Sequence, residues 1–434
     1  MTDSPETPTD TIEETRSVGS LLRRMEVDTR LLGMIVSLMV IWIGFHLMSG
    51  GTFLTPRNLW NLSVQTSSVG IMATGMVLVI VTRNIDLSVG AILGLTGMSI
   101  ALLQTEVLPE ILGFEHWSIW IIAVVVALLI GALVGAFQGV IISYAGVPSF
   151  IVTLGGLLVW RGAAWWISRG VTIAPMDSTF QLLGGGSRGS IGATWSWVVG
   201  VIACAGLVFM LVNGRRNRRR FGFKLRPLWA DLAIGVIGVA VILGAIAVLN
   251  RYYLPERVAM EVAAEQGIAW PEGGLEISRG IAYPVLIMLG VALVMTFVAT
   301  RRKYGRYVFA IGGNPEAAVL GGVNTRWIVV KTFMVMGILA GVAAIVSTAR
   351  LNAGVVSLGT LSELYVIAAA VIGGTSLAGG VGTIPGAVLG ALVMQSLQSG
   401  MVLMGVDAPL QDIVVGIVLV GAVAIDSIYR RRAT

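Results

Sequence analysis

Apolar stretches of about 20 residues, nearly free of charge, recur along the whole chain. Each is long enough to cross a bilayer as a helix. Twelve can be drawn, at 31–49, 62–82, 87–104, 118–145, 149–168, 194–213, 228–249, 281–300, 327–348, 361–380, 384–404 and 411–426. The stretches within 62–104 and 361–404 are short or broken by glycine. Ten full spans, with the remainder as half-helices that enter and leave by one face, is therefore the alternative to twelve. Composition excludes a soluble domain with an anchor: the chain is 56% hydrophobic and 12% charged, with a mean hydropathy of +0.88. Soluble domains carry about twice that charge. The 56 glycines suit helices packed closely through small residues. The predicted fold is an all-α polytopic membrane protein with 10–12 transmembrane segments, some broken or re-entrant.

Basic residues set the expected orientation. With the start of the chain inside and sides alternating, the inside holds Arg16, Arg23, Arg24, Arg30 and Arg83. It also holds the run from Arg215 to Arg226, the group from Arg301 to Lys331, and Arg430 to Arg432. Most of the 29 Lys and Arg fall there, a positive-inside bias that makes both termini cytoplasmic. The run at 215–220 directly follows an apolar segment and reads as a topology anchor with some lipid contact, not as a nucleic-acid site. The chain then divides into a disordered cytosolic tail at 1–28, a transmembrane domain at 29–429 and a cytosolic tail at 430–434. Within the domain lie a basic cytosolic loop at 214–227, a periplasmic loop at 250–280 and a cytosolic loop at 301–326. The periplasmic loop has room for a helix between Pro255 and Pro271. No basic start, apolar stretch and small-residue cleavage site precede the first span, so no cleaved signal peptide is expected.

Several chemistries are excluded. Lys224, Lys303 and Lys331 are the three lysines, and none follows a glycine as a phosphate-binding P-loop requires. His46 and His116 lack metal-ligand spacing, and Cys204 has no partner for a disulfide. No nucleophile elbow or supported carboxylate pair is present. The chain is expected to be no enzyme, with no cofactor and no metal.

One cytosolic loop is unusually well specified: Gly312-Gly313-Asn314-Pro315-Glu316-Ala317-Ala318, closing at Gly321-Gly322. Asn314 can accept from the free N–H groups of a helix start, and Pro315 suits the first helical position. Glu316 sits at the positive end of the helix dipole, and the glycines end the helix. These residues predict a short capped helix outside the membrane, serving either as a connector or as a knob offered to a partner.

Charges inside membrane segments are costly and few. Asp86 either caps a helix starting at Leu87 or belongs to a pathway. Arg161 pairs with a carbonyl or carboxylate, or touches substrate. Glu363 favours a helix N-terminus or has a pathway role. The stretch from Ile372 to Gly382 is too rich in glycine for a plain membrane helix. Such backbone survives at membrane depth only where protein or a water-filled cavity satisfies it. Its Thr375 and Ser376 hydroxyls suit a neutral polyhydroxylated solute, and tight helix packing is the other reading. A faint internal echo links 89–94 to 385–390, each following a broken segment.

Five stretches together carry a resemblance. Asn58-Leu59-Trp60-Asn61, the run from Thr82 to Gly90 and the run from Val147 to Gly155 are three of them. The run from Ala310 to Ala318 and that from Val371 to Gly380 complete the set. In this order, over roughly 55–425, they resemble the ribose/xylose-type permeases of bacterial ABC importers. The extra segment after 215–226 resembles the xylose-type branch, ribose-type relatives being shorter there. The resemblance implies a permease of the bacterial inner membrane that moves a monosaccharide by alternating access, with xylose or a related sugar as the expected solute. A cytoplasmic ATP-binding subunit would supply energy, a periplasmic sugar-binding protein would deliver the sugar, and a second permease copy would complete the pathway. Gly312, Gly313, Asn314, Pro315, Glu316, Ala317, Ala318 and Gly322 match the family's ATPase-coupling element. Asn84, Asp86, Ser88, Glu363, Thr375 and Ser376 are the candidate pathway or gate residues. Where the family usually carries an acid two residues after Glu363, this chain has Tyr365. The rival expectations are an ion-coupled secondary sugar carrier acting alone and a membrane scaffold or receptor subunit.

Overall fold

The structure is a computed structural model that describes residues 29–265 and 267–431. The expected tail at 1–28 and residues 432–434 lie outside the described residues. Helices account for nearly all the regular structure. The first long ones are α1 (Thr29–Met48), α2 (Pro56–Val81) and α3 (Val89–Leu102). A π-helical turn at Leu103–Val107 and the short α4 (Leu108–Leu112) extend α3, the irregularity falling just before Pro109. Then follow α5 (Ile119–Tyr144), α6 (Ser149–Ser168), α7 (Ser178–Leu182), α8 (Gly192–Arg220), α9 (Leu228–Asn250) and α10 (Glu256–Glu265). The remainder are α11 (Tyr283–Arg301), α12 (Lys303–Gly313), α13 (Pro315–Leu320), α14 (Thr325–Leu351), α15 (Ser362–Ile372), α16 (Ile384–Leu403) and α17 (Ala408–Arg431). Among the described residues, ten helical stretches are long and apolar enough to cross a membrane, and α15 and the described part of α17 are shorter apolar helices. The all-α polytopic expectation holds.

α2 is the hub. It is buried along nearly its whole length and packs against α14, α16, α11 and α15. Its Trp60 end meets the loops at 186–192 and 278–282, where Trp60 Nε1 donates to Gly280 O at 2.9 Å. The Arg279 guanidinium lies between Trp60 and Tyr252, 5.0 and 4.5 Å from the ring centroids. Its Val81 end meets α12 and the glycine-rich segment that follows α15. Following each helix from these anchors puts Arg215, Arg301, Lys303 and Arg326 at the Val81 end. This is the grouping that alternation along the sequence anticipates.

Glycines let two central helices touch. α5 and α14 run antiparallel with Gly131, Gly135 and Gly139 facing Gly337, Phe333 and Val330. A Cβ at Gly135 would overlap the Phe333 carbonyl, and one at Gly131 the Gly337 carbonyl. Small residues four apart bring backbones this close where lipid supplies no hydrophobic drive between helices. By contrast, α8 and α9 pack mainly on each other and otherwise expose their apolar side chains, as lipid-facing helices do.

Five sequence expectations shift. The basic loop at 214–227 is helical as far as Arg220, because arginine is a good helix former and cations suit the negative end of the dipole. The loop at 301–326 holds two helices, α12 and α13, and the expected tail at 430–434 is helical to Arg431. The helix expected from Leu87 begins at Val89, since Asp86 bonds to Ser88 locally. The expected span at 361–380 is helical only over α15, about 16 Å, half of the ~30 Å hydrocarbon core. The helix expected between Pro255 and Pro271 is present as α10.

Over-packing a well-packed core costs about 1–3 kcal/mol and occasionally more, and the α5–α14 contact is between backbones, which cannot give way as a side chain can. Gly135→Leu is therefore expected to lower the melting temperature of the detergent-solubilised protein markedly. Gly206→Leu, where a side chain meets nothing within 4 Å, should leave it unchanged.

Candidate functional site: a capped helix and a buried polar seam

Asn314 leaves the helical region with φ −149° and ψ 102°, and its Oδ1 accepts from the Ala317 N–H at 3.0 Å. Pro315 takes the first helical position. At the far end the Val323 N–H donates to Ala318 O at 3.0 Å and that of Gly322 to Val319 O at 2.9 Å. Gly322 adopts φ +80°, the left-handed cap that glycine takes without penalty. α13 is thus a stiff knob, with Ala318 buried beneath it and Glu316 and Ala317 exposed. The sequence reading missed the apolar residues at its tip: Val319 is 56% and Leu320 89% exposed. The signal was present, as two branched apolar residues directly before a glycine stop.

α12 holds this knob to the bundle. Val308 and Ile311 are buried, and the Tyr304 hydroxyl lies 3.0 Å from Thr332 Oγ1 on α14. Burial pushes the Tyr304 phenol up to about 12, so the anchor stays neutral.

The second cluster surrounds α3. Asp86 and Ser88 are fully buried, and Asp86 Oδ1 accepts from the Ser88 N–H at 2.8 Å and from its hydroxyl at 2.6 Å. Ser88 Oγ also lies 2.9 Å from Gln138 Oε1, although one hydroxyl proton serves only one acceptor. Gln138 Nε2 and Trp160 Nε1 are buried donors without partners, and both lie beside Gly156. The other side of α3 carries Gly90, Gly94 and Gly97, which face the non-helical segment 352–361. That segment enters from the Trp60 end and descends along α3 as far as Gly359, opposite Gly90. Arg161 holds it there, one nitrogen donating to Val356 O at 3.0 Å and to Leu358 O at 2.7 Å. Of the two pairings expected for Arg161, the carbonyl is the one observed. Glu363 then opens α15 in the buried interior, its Oε2 beside Gly90 and without a hydrogen-bond partner.

The remaining candidates lie elsewhere. Asn84 is half-buried, its Nδ2 donating to Thr82 O and Thr82 Oγ1 at 3.0 and 3.1 Å. Thr375 and Ser376 are fully buried without hydroxyl partners, in the turn after α15, with Thr375 near Gly382. They sit toward the Val81 end, away from Glu363. Tyr365 is buried in the main core. Gln138, Trp160 and Thr348, whose Oγ1 is also unpartnered, were missed from sequence. A lone glutamine within an apolar segment was the signal available for Gln138.

A buried polar atom without a partner costs about 1–3 kcal/mol, so a group of them calls for an occupant. Amides, hydroxyls and one carboxylate around α3 can hydrogen-bond water or a polar solute entering between the helices. The Arg161 contact is open to test. Arg161→Met keeps the volume but leaves two interior carbonyls without a donor, at a cost of about 2 kcal/mol. Its melting temperature should fall clearly below that of Arg161→Lys, which keeps a donor.

Comparison with known proteins gives a consistent set. A family model described as branched-chain amino acid transport system / permease component matches residues 58–423. The xylose transport system permease protein of Escherichia coli is 36% identical over 402 residues, 92% of either chain. That of Haemophilus influenzae is 34% identical over 413 residues, 95% of this chain and 100% of its own. The ribose import permease protein of Escherichia coli is 32% identical over 375 residues, 86% of this chain and 87% of its own. No solved structure matches.

Proposed function

This chain belongs to the family of branched-chain amino acid transport system permease components, and we propose that its solute is xylose or a closely related sugar. It is the membrane permease subunit of an ATP-driven sugar importer of the bacterial inner membrane, and not itself an enzyme. Such permeases work with an ATPase and a sugar-binding protein. Xylose is favoured over ribose because the similarity to the xylose permeases extends over more of the chain, at higher identity.

The observation that carries the mechanism is α13, a rigid, doubly capped helix with an exposed apolar tip among basic residues. The basic end faces the cytoplasm, and α13 seats in the ATPase there through Glu316, Val319 and Leu320. Closure of the ATPase on ATP displaces the knob and opens the bundle toward the loaded binding protein. The sugar then passes along the seam around α3, exchanging hydrogen bonds with Ser88, Gln138, Trp160 and Glu363. Such hydrogen-bond donors and acceptors fit a polyhydroxylated solute. Asp86 orients Ser88, and Thr375 and Ser376 lie at the cytoplasmic gate. A second copy of the chain completes the permease.

Uptake of labelled D-xylose into vesicles carrying this chain, its ATPase and its binding protein tests the reading. Uptake should require ATP and all three components, and D-ribose should compete poorly. Leu320→Asp and Glu316→Arg should each weaken ATPase attachment, the former by about 2 kcal/mol or 30-fold, with uptake lost in parallel. Uptake by this chain alone under an ion gradient, indifferent to both substitutions, would establish a secondary carrier instead.

A further inference from the structure

Three interruptions of helical backbone meet at the Val81 end. The first is the end of α2, where Arg83 takes a left-handed φ of +62° and its N–H donates to Ile80 O at 2.8 Å. The second is the junction of α12 with α13. The third is the glycine-rich segment after α15, where the Gly380 N–H donates to Val81 O at 3.0 Å. Glycine is required for the three to touch. A Cβ at Gly312 would overlap Val81 O, and Gly379 at φ +87° leaves the space beside Arg83 Cγ.

Arg83 itself spans the joint. Its Nε donates to Gly312 O at 2.9 Å and one terminal nitrogen to Gly313 O at 3.0 Å. These are the last carbonyls of α12, which have no partner within their own helix and lie at the negative end of its dipole. The guanidinium fork therefore caps α12 immediately before Asn314 starts the knob. A planar fork held on two successive carbonyls resists rotation as well as displacement, which a single ammonium contact does not.

We propose that Arg83 is a positioning residue that transmits motion of the ATPase-docked knob to the sugar path. Displacement of α13 pulls Gly312 and Gly313, and through them Arg83, and Arg83 lies three residues from Asp86 and five from Ser88. The bond from Gly380 to Val81 carries the same displacement into the turn after α15, whose helix holds Glu363. The hydrogen bonds of the Arg83 guanidinium run to the Gly312 and Gly313 carbonyls, so it acts through these neighbours. The proposal rests on the reading of α13 as the ATPase dock.

The test uses the complete importer in proteoliposomes, with wild type, Arg83→Lys and Arg83→Ala. The readout is labelled D-xylose taken up per ATP hydrolysed, alongside co-purification of the ATPase and the melting temperature of the complex. Arg83→Ala should keep its ATPase and go on hydrolysing ATP while uptake per ATP falls at least about tenfold, within the usual range of coupling between sites. Arg83→Lys should fall between. Unchanged uptake per ATP overturns the proposal, as does loss of the ATPase, which would make Arg83 part of the dock. A proportionate fall in uptake and hydrolysis shows a structural staple only and overturns it too. Should Arg83→Ala fail to fold, Arg83→Lys decides alone, since it keeps the charge but not the fork. Absence of ATP-driven uptake with the wild-type chain would instead sink the underlying reading of the importer.

Discussion

A peptide group in hydrocarbon must find its hydrogen bonds within the protein, and the architecture of this chain follows from how it meets that demand at its helix breaks. Segments 82–88, 352–361 and 373–383 leave the helical ladder inside the bundle. Each is satisfied from a distant part of the chain. The Ile85 N–H donates to Ser149 Oγ, and Thr153 Oγ1 to Ile85 O, both at 3.3 Å. Arg161 supplies the donors for Val356 and Leu358, and Val81 accepts from Gly380. Were any of these partners lost, the break it serves would have to close into helix or take in water.

The breaks can sit together only because glycine thins the packing around them. α3 offers Gly90 and Gly94 to the carbonyls of Gly359 and Leu358, and α16 offers Gly386 and Gly390 to those of Gly373 and Ala369. The faint echo between 89–94 and 385–390 therefore has a physical basis. Both stretches begin a helix just after a break and take a neighbouring carbonyl against glycines four residues apart. Dense contact in the α5–α14 pair makes a stiff frame, whereas the broken elements beside it are held by a few long-range hydrogen bonds. That division suits a transporter, in which a solute path must open without the bundle coming apart.

The knob and the joint were legible to different degrees. Asn314 and Gly322 act through hydrogen bonds to residues three or four positions away, and Pro315 through its own fixed φ and missing N–H, so their roles follow from spacing alone. Apolar length and the scarcity of charge likewise foretold the spans, and glycine density between Ile372 and Gly382 marked a stretch unsuited to a plain membrane helix, with tight helix packing left as the other reading. Arg83 could be counted only as one more inside charge, because its acceptors Gly312 and Gly313 lie 229 and 230 residues on. Gln138 and Trp160 gained meaning only when Gly156 brought them beside Ser88. Nothing local distinguishes a buried amide in a seam from one that merely packs.

Hydropathy and end-capping are properties of short stretches, and by themselves they settled the membrane class, the helical fold, the basic end and the capped helix. Tertiary structure alone decided which breaks face one another and how deep α15 begins. It also decided that an exposed arginine would cap a helix belonging to the other half of the chain. The physical reason is that a helix cap is a choice among a few neighbouring atoms. The partner of a carbonyl at a break is chosen from everything the packed bundle brings within 3 Å, and that set does not exist until the helices have assembled.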